Sequence, residues 1–271
     1  MSEKKKLQVL AAAVNQEVNM LAEKMNLETD AIIVNQCDHY AYQEYRHKGR
    51  LIRCFSMAER GVGLSRNTAL ARADSELCLF SDEDIVFYPG YEEIVCRAFE
   101  KNKDADVITF NFKVDPSRAT YYTQSEKRIR WYNYGRYPTC AVAARTEALR
   151  RANVSFSLLF GGGAKYSNGE DSLFLHDCLK KGLHLYAHTE ELGEEVYRES
   201  TWFKGYNQKF FIDRGVLYHH LYGVLAKVFS LRFLYAHRGE MLKEMSLGEA
   251  YRLMKQGIKE GKNRNGLTKG V

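Results

Sequence analysis

The chain has 271 residues, 45% of them hydrophobic and 27% charged, with a net charge of +6 at pH 7. This composition supports a substantial core, and only 3 prolines with no low-complexity tract exclude a largely disordered protein. The six cysteines occur singly, without a Cys-x-x-Cys pair, which excludes a disulfide scaffold and indicates reduced core residues of a cytoplasmic protein.

Strands and helices alternate along the first part of the chain. The apolar patterns predict strands at Gln8–Val14, Ala31–Asn35, Leu51–Phe55 and Leu77–Phe80, and helices at Val18–Lys24, Ser65–Ala73 and Tyr91–Asn102. The basic N-terminus runs directly into the first strand, so no signal peptide is expected. Such alternation predicts parallel strands joined by right-handed crossovers.

Three acidic residues, Asp82, Glu83 and Asp84, follow the apolar run at 77–80. Ligands of open α/β sheets bind at the carboxyl ends of such strands. Two carboxylates one residue apart can hold Mg²⁺ or Mn²⁺, which would neutralise a diphosphate. Taken alone, the motif is more typical of a solvated acidic turn.

The second part of the chain contains a further acidic pair. Strands are predicted at Asp106–Val114, Thr139–Ala144 and Val154–Phe160, then a helix at Asp171–Lys181 that ends at Gly182, and a strand at Leu185 and Tyr186. A glycine-rich loop precedes Glu170 and Asp171, which open that helix. Carboxylates in a first helical turn stabilise the helix through its dipole, so a structural role is an alternative to a catalytic one.

The order of these motifs resembles the nucleotide-sugar-binding half of glycosyltransferase family 2. A glycine-containing turn precedes Arg66-Asn67 at a helix start, a strand leads to Asp82-Glu83-Asp84, and Pro89 opens the next helix. The first strand ends at Asn15, where the family commonly has Asn, and Glu170-Asp171 resembles the family's catalytic motif. The resemblance implies an α/β protein of the GT-A fold, with a mostly parallel central sheet flanked by helices and a helical C-terminal extension.

The resemblance also implies a domain division and a reaction. Residues 1–205 would form the catalytic domain, with 1–110 as the nucleotide-sugar-binding half and 111–205 as the acceptor half, and 206–271 the extension. The reaction expected is metal-dependent, inverting transfer of a sugar from a nucleotide diphosphate sugar, favoured to be a UDP-sugar. Its acceptor would be a hydroxyl of a saccharide or lipid-linked saccharide, in the synthesis of a bacterial cell-surface polysaccharide or capsule.

Individual roles follow from the same resemblance. Asp84 is the first choice of ligand for Mn²⁺ or Mg²⁺, Asp82 would bind the metal or the ribose, and Asp171 would be the base that deprotonates the acceptor hydroxyl. The candidate residues are Asp171 and Glu170 for catalysis, Asp82 and Asp84 for the metal, and Asn15, Asn35, Arg66, Asp82, Glu83, Trp202 and Lys204 for the donor.

The sequence departs from the family pattern near the nucleoside. Asn35 stands where the family usually has an aspartate, and its amide can both donate to and accept from a uracil edge. Arg66 would pair with the diphosphate or the base, or form an ordinary surface ion pair. Trp202 and Lys204 suit sugar stacking and phosphate contact in a closing loop, although Trp202 also suits a core.

The C-terminal part is aromatic and basic between Arg214 and Arg238. It is too interrupted to span a bilayer, which needs about 20 apolar residues. It could lie on a membrane surface, pack on the catalytic domain, or join two subunits of a homo-oligomer. The protein is therefore expected in the cytoplasm, with the inner face of the membrane as a candidate peripheral site, and no motif indicates nucleic-acid binding.

Two other functions fit parts of the sequence. A nucleotidyltransferase acting on a sugar phosphate would share the nucleotide and the metal, but it would normally show a glycine-rich, basic loop after the first strand. A non-catalytic sugar-nucleotide-binding scaffold would not need Asp82, Asp84 and Asp171 together.

Overall fold

The structure, a computed structural model, describes residues 6–116, 121–196, 205–243 and 245–268. Its strands are β1 Leu7–Val14, β2 Asp30–Gln36, β3 Ala41–His47, β4 Arg50–Met57, β5 Leu77–Asp82, β6 Ile85–Phe87, β7 Val107–Lys113, β8 Lys127–Ile129, β9 Val142–Arg145 and β10 Leu185–Glu195. Its helices are α1 Val18–Lys24, α2 Val62–Arg72, α3 Tyr91–Lys101, α4 Thr146–Arg151, α5 Glu170–Lys180, α6 Gln208–Tyr222, α7 Ala226–Ala236, α8 Arg238–Met241 and α9 Leu247–Thr268.

The described residues divide into two compact units. The first contains 6–158 and 170–196, and the second contains 159–169 and the helical residues from 205 to 268, apart from 244. The chain therefore enters the second unit twice.

One mixed sheet organises the first unit. Its strand order is β3-β4-β2-β1-β5-β9-β7-β10-β6, and β8 also pairs with β10. The pairs β4-β2, β2-β1, β1-β5 and β7-β10 are parallel, whereas β9 runs antiparallel between β5 and β7. Seven of the eight β1 residues are buried because helices cover both faces of the parallel strands.

The carboxyl ends of β1, β2 and β5 meet at one edge of this sheet. Ala12 of β1 pairs with Asp82 of β5, and Val14 pairs with Gln36 of β2. The backbone N–H of Glu83 also donates to the carbonyl of Ala12 at 3.1 Å. The register therefore brings the predicted metal motif beside the turn that contains Asn15.

The predicted elements of the first hundred residues are present, and α1 has the predicted bounds. The strand predicted at Val154–Phe160 is wrong, because 154–159 form no strand and Phe160 makes only an isolated bridge to Tyr166. The side chain of Asn67 replaces the missing strand partner: its Oδ1 accepts from the N–H of Phe156 at 2.7 Å and its Nδ2 donates to the Phe156 carbonyl at 2.9 Å. The Phe156 ring meanwhile stacks on Phe174 in the core.

Three strands, β3, β6 and β8, have no counterpart among the strands predicted from the sequence, and β3 shows the reason. Its sequence is polar because it is an edge strand, paired antiparallel with β4 alone, and its side chains are largely outside the core. Lys48 and Gly49, both with positive φ, form the two-residue turn between β3 and β4. The strand predicted at Thr139–Ala144 begins only at Val142, after a 3₁₀ turn at Thr139–Ala141.

Four helices, α6 to α9, make up most of the second unit. Gly215 of α6 and Gly257 of α9 lie at a close crossing, where a Cβ on Gly215 would be 2.1 Å from the Met254 carbonyl oxygen. Asp213, buried on α6, accepts hydrogen bonds from the N–H and hydroxyl of Ser167, and so anchors the glycine-rich segment to this helix. Among the described helices, none has the length and apolarity that crossing a bilayer requires.

Candidate functional site

Four of the predicted site residues meet around one buried guanidinium. Arg66 Nη2 lies 3.0 Å from Asp82 Oδ1 and 3.2 Å from Asp82 Oδ2. Arg66 Nη1 lies 3.2 Å from Asp171 Oδ1 and 3.5 Å from Glu170 Oε1. The Arg66 side chain is only 4% exposed. The alternative that Arg66 forms an ordinary ion pair on the surface is therefore wrong. Arg66 joins two motifs that are 88 residues apart in the chain.

The fold explains this convergence. Asp82 is the last residue of β5, and Glu170 and Asp171 form the first turn of α5. Arg66 lies on the buried face of α2, which begins after Gly61, a residue with φ of 131°. The Gly61 N–H donates to Gln36 Oε1 at 2.7 Å, which ties the start of α2 to the end of β2.

The charges in this cluster are strongly coupled. Burial lowers the pKa of Arg66, but the carboxylates of Asp82, Asp171 and Glu170 outweigh it, and the net pKa is raised. Burial and then repulsion from Asp171 raise the pKa of Glu170 to about 7, against the attraction of Arg66. The carboxylates thus hold Arg66 in its cationic form, whereas burial favours the protonated form of Glu170 up to a pKa of about 7.

Sequence reasoning missed two residues of this cluster. The hydroxyl of the fully buried Thr139 donates to Asp171 Oδ1, the same oxygen that Arg66 contacts. The thiol of Cys140 lies beside it, and burial, followed by the charges of Asp82 and Asp171, raises its pKa well above the usual value. Neither residue belongs to a motif, because each is brought to the site by the 3₁₀ turn that precedes β9.

Asn15 and Asn35 lie at the same sheet edge, where both form hydrogen bonds that involve the backbone of the turn after β1. Asn15 adopts the left-handed conformation with φ of 51°, and its N–H donates to the Gln36 carbonyl at 2.9 Å. Asn35 Oδ1 accepts from the Gln16 N–H, and its Nδ2 donates to the Gln16 carbonyl, both at 3.0 Å. Asn35 therefore holds the turn after β1, and its nucleoside contact stays a prediction.

The acidic triplet fits a divalent cation that also binds a substrate phosphate. Asp82 is 34% exposed, and a carboxylate has lone pairs beyond those that face Arg66. Within the described part of the chain, Asp82, Glu83 and Asp84 do not form a compact three-ligand group; such a group occurs at Cys37, Asp38 and His39 after β2. One or two carboxylates completed by phosphate oxygens are the ordinary environment of Mg²⁺ in nucleotide enzymes.

Two predicted donor contacts have no structural test. Trp202 and Lys204 lie outside the described residues.

Comparison with known proteins agrees with the motifs. The family model described as glycosyl transferase family 2 matches residues 7–155, which include Asn15, Arg66 and Asp84 but not Glu170 or Asp171. No curated protein matches the chain.

Similar solved structures include S. aureus TarS 1-349 in complex with UDP-GlcNAc, which is 15% identical, with 86% of this chain and 73% of that chain covered and a TM-score of 0.60. The same TarS fragment in complex with UDP is 14% identical, with 94% of this chain and 81% of that chain covered and a TM-score of 0.61. The mannosyltransferase PcManGT from Pyrobaculum calidifontis, in complex with GDP-Man and Mn²⁺, is 13% identical, with 97% of this chain and 76% of that chain covered and a TM-score of 0.50. At these identities the likeness concerns the fold alone, and it confirms the predicted GT-A fold with C-terminal helices.

Proposed function

This chain belongs to glycosyl transferase family 2, and we propose that it is an inverting, metal-dependent enzyme that transfers a sugar from a UDP-sugar to an acceptor hydroxyl. The observation that carries the proposal is the buried Arg66, which links Asp82 of the metal motif to Asp171 of the catalytic motif. Because the family match ends before Asp171, this contact is an independent reason to assign both residues to one site.

Asp171 is the base in this proposal. The acceptor oxygen forms a bond to the anomeric carbon while the bond from that carbon to the diphosphate oxygen breaks, and the bonding electrons leave with the diphosphate. The hydroxyl proton passes to Asp171 Oδ2, since Oδ1 is held by Arg66 and Thr139. Attack from the face opposite the diphosphate inverts the anomeric carbon.

Asp84, with Asp82, would hold Mn²⁺ or Mg²⁺. When bound, such a cation neutralises the charge that develops on the diphosphate. Arg66 keeps Asp82 in place, and Glu170 adds a second carboxylate whose proton occupancy adjusts the charge near Asp171.

We propose the chemical class of the donor and of the acceptor. TarS was solved with UDP-GlcNAc and PcManGT with GDP-Man, which supports a nucleotide diphosphate sugar as donor. Asn15, Asn35 and Glu83 lie at the carboxyl edge of β1, β2 and β5, where the nucleoside would bind. We assign the acceptor to a saccharide, free or lipid-linked, in cell-surface polysaccharide synthesis at the cytoplasmic side of a membrane.

The test is a calorimetric screen of UDP- and GDP-sugars with Mn²⁺, followed by an assay for nucleotide diphosphate release. We expect binding that a chelator abolishes and that Asp84→Ala weakens strongly, because the carboxylate at the strand end is lost while the core is untouched. The matched control, Asp177→Ala on the exposed side of α5, should bind as the parental protein does. Full activity in chelator would reject the metal assignment, and no binding of any sugar nucleotide would reject the proposed function.

A further inference from the structure

Helix α7 and the turn before it expose a row of apolar side chains. Val224 is 96% exposed, Val228 and Tyr235 are each 63% exposed, and Leu231 is 43% exposed. Single exposed apolar residues are common on protein surfaces, but neighbouring ones on one helix face indicate an interaction site.

The helical geometry puts the three that belong to α7 on one line. At about 100° per residue, Val228, Leu231 and Tyr235 fall within an arc of about 60°. The opposite side of α7 is buried and consists of Ala226, Ser230 and Leu234. The apolar row therefore lies outside the side of α7 that packs in the second unit, and internal packing does not account for it.

Basic residues border the row on both sides. On the same helical projection, Lys227 lies about 40° to one side of Leu231 and Arg232 about 40° to the other side of Val228. Both side chains are exposed. No acidic residue occurs between Arg214 and Gly239, so nothing in this segment offsets their charge.

The charge of the whole chain is concentrated in the same part. Residues 206–271 contain 12 lysines and arginines and 5 acidic residues, a net charge of +7, whereas the complete chain has +6. Residues 1–205 therefore have a net charge of −1. The excess positive charge that would attract an anionic partner therefore belongs to this C-terminal region.

We propose that the α7 face, defined as Val224, Val228, Leu231 and Tyr235 with Lys227 and Arg232, docks reversibly on an anionic lipid bilayer. Apolar side chains between flanking Lys and Arg match the interface of such a bilayer, where apolar groups enter and cations meet headgroup phosphates. A second copy of the chain is disfavoured as the occupant, since two α7 faces would bring like charges together.

Arg214, which the sequence grouped with these basic residues, is not part of the α7 face. Its guanidinium lies over the rings of Phe210 and Phe233 at 5.2 Å and 5.1 Å, and burial lowers its pKa. The α7 face therefore takes its positive charge from Lys227 and Arg232.

Co-sedimentation with phosphatidylglycerol-containing vesicles tests the proposal. The parental protein should sediment with them at low salt, stay in solution at about 0.5 M salt because the attraction is screened, and ignore pure phosphatidylcholine vesicles. Lys227→Glu with Arg232→Glu should weaken binding by roughly thirtyfold or more, from the contribution of two basic residues near a charged surface. Val228→Ser with Leu231→Ser should weaken it at unchanged charge.

The matched control is Lys180→Glu with Lys181→Glu, which changes the net charge equally at the exposed end of α5 in the first unit. It should sediment as the parental protein does, and circular dichroism should show all variants folded. The proposal is overturned if the parental protein ignores the anionic vesicles, if the control loses binding as fully as the α7 charge variant, or if light scattering shows a dimer that the α7 variants dissociate.

Discussion

Asp171 accepts two hydrogen bonds on one carboxylate oxygen. These two bonds fix the orientation of the whole carboxylate, and with it the direction of the other oxygen. Arg66 and Thr139 both contact Oδ1, and no hydrogen bond to Oδ2 occurs among the described residues. A base needs this fixed orientation, because a proton transfers only along a well-aligned contact. A capping role alone would need neither the arginine nor the threonine.

The first prediction is that Asp171→Asn lowers sugar transfer by about 10²–10⁴-fold, since the amide keeps the shape but cannot take the proton. The affinity for the donor, measured by calorimetry, should change little. Asp177→Asn, six residues along the same helix, is the control and should transfer at the parental rate. Parental turnover in the Asp171 variant would assign the base elsewhere.

The second prediction concerns Glu170, whose pKa is raised from 4.5 to about 7, first by burial. A raised pKa means that the folded protein binds the proton more tightly than the unfolded chain. The contribution to stability is therefore full below about pH 4.5 and is lost as the pH rises through about 7. Glu170→Gln, which stays neutral, should raise the free energy of unfolding at pH 8 by up to about 3 kcal/mol and leave it unchanged near pH 4.

Denaturant unfolding at a series of pH values measures this difference. Glu147→Gln, at an exposed glutamate in the first turn of α4, should keep the parental pH dependence. A Glu170 variant with the parental slope between pH 5 and 8 would show that the carboxyl is not protonated near neutrality.

At the scale of elements, helices α6 and α9 of the second unit approach each other backbone to backbone. A Cβ at Gly257 of α9 would lie 2.0 Å from the Ile212 carbonyl oxygen of α6, and the reciprocal contact involves Gly215 and Met254. Carbonyl groups inside a helix cannot move away without breaking the helix, so these two positions accept no side chain.

The third prediction is that Gly215→Ala or Gly257→Ala lowers the free energy of unfolding by about 1–3 kcal/mol or more, since the helices must separate. Gly248→Ala on α9 is the matched control: nothing lies within 4 Å of its Cβ, and removing a helical glycine should be neutral or stabilise by up to about 1 kcal/mol. Thermal unfolding of the three variants decides the point. Equal stability of all three would mean that α6 and α9 do not cross at these glycines.

The elements also show where sequence patterns suffice. Periodicity predicts α1 and the parallel strands β1, β2 and β5, because burial on both faces forces continuous apolar runs. It fails at 154–160, where apolar residues belong to a loop whose backbone is satisfied by the Asn67 side chain. Nothing local in the sequence distinguishes that loop from a strand.

At the scale of the whole molecule, the cysteines are reduced and largely buried. All six are free thiols, and burial raises the pKa of Cys54 to about 12 and of Cys78 to about 11. Cys140 and Cys178 are shifted upward for the same reason. Thiolates, the reactive form, are therefore scarce in the folded protein.

The fourth prediction is that Ellman's reagent at pH 8 labels at most two thiols of the native protein within minutes, and all six after unfolding in guanidinium. Adding a reductant should leave the melting temperature unchanged, because no disulfide contributes to it. Rapid labelling of three or more native thiols would contradict the burial of these side chains.

The site as a whole was only partly predictable. Arg66, Asp82, Glu170 and Asp171 were recognisable as residue types in motifs, but the contact between the motifs required the parallel register of β1 and β5 and the position of α5. Thr139 could not be found, since a threonine ahead of an apolar strand has no distinguishing spacing. Asn35 was identified, but not its hydrogen bonds to Gln16.

The return of the chain to the second unit has a consequence for its synthesis. Tyr166 and Lys165 contact Glu260, and Ser167 contacts Asp213, so these contacts of the glycine-rich segment form only with residues made much later. At about 5–20 residues per second, the ribosome adds the 95 residues between Lys165 and Glu260 in about 5–20 s. During that interval the nascent chain already contains the complete acidic cluster, but the segment directly ahead of Glu170 still lacks its anchors. The growing polypeptide therefore acquires Glu170 and Asp171, the residues proposed for catalysis, before the segment that precedes them is anchored.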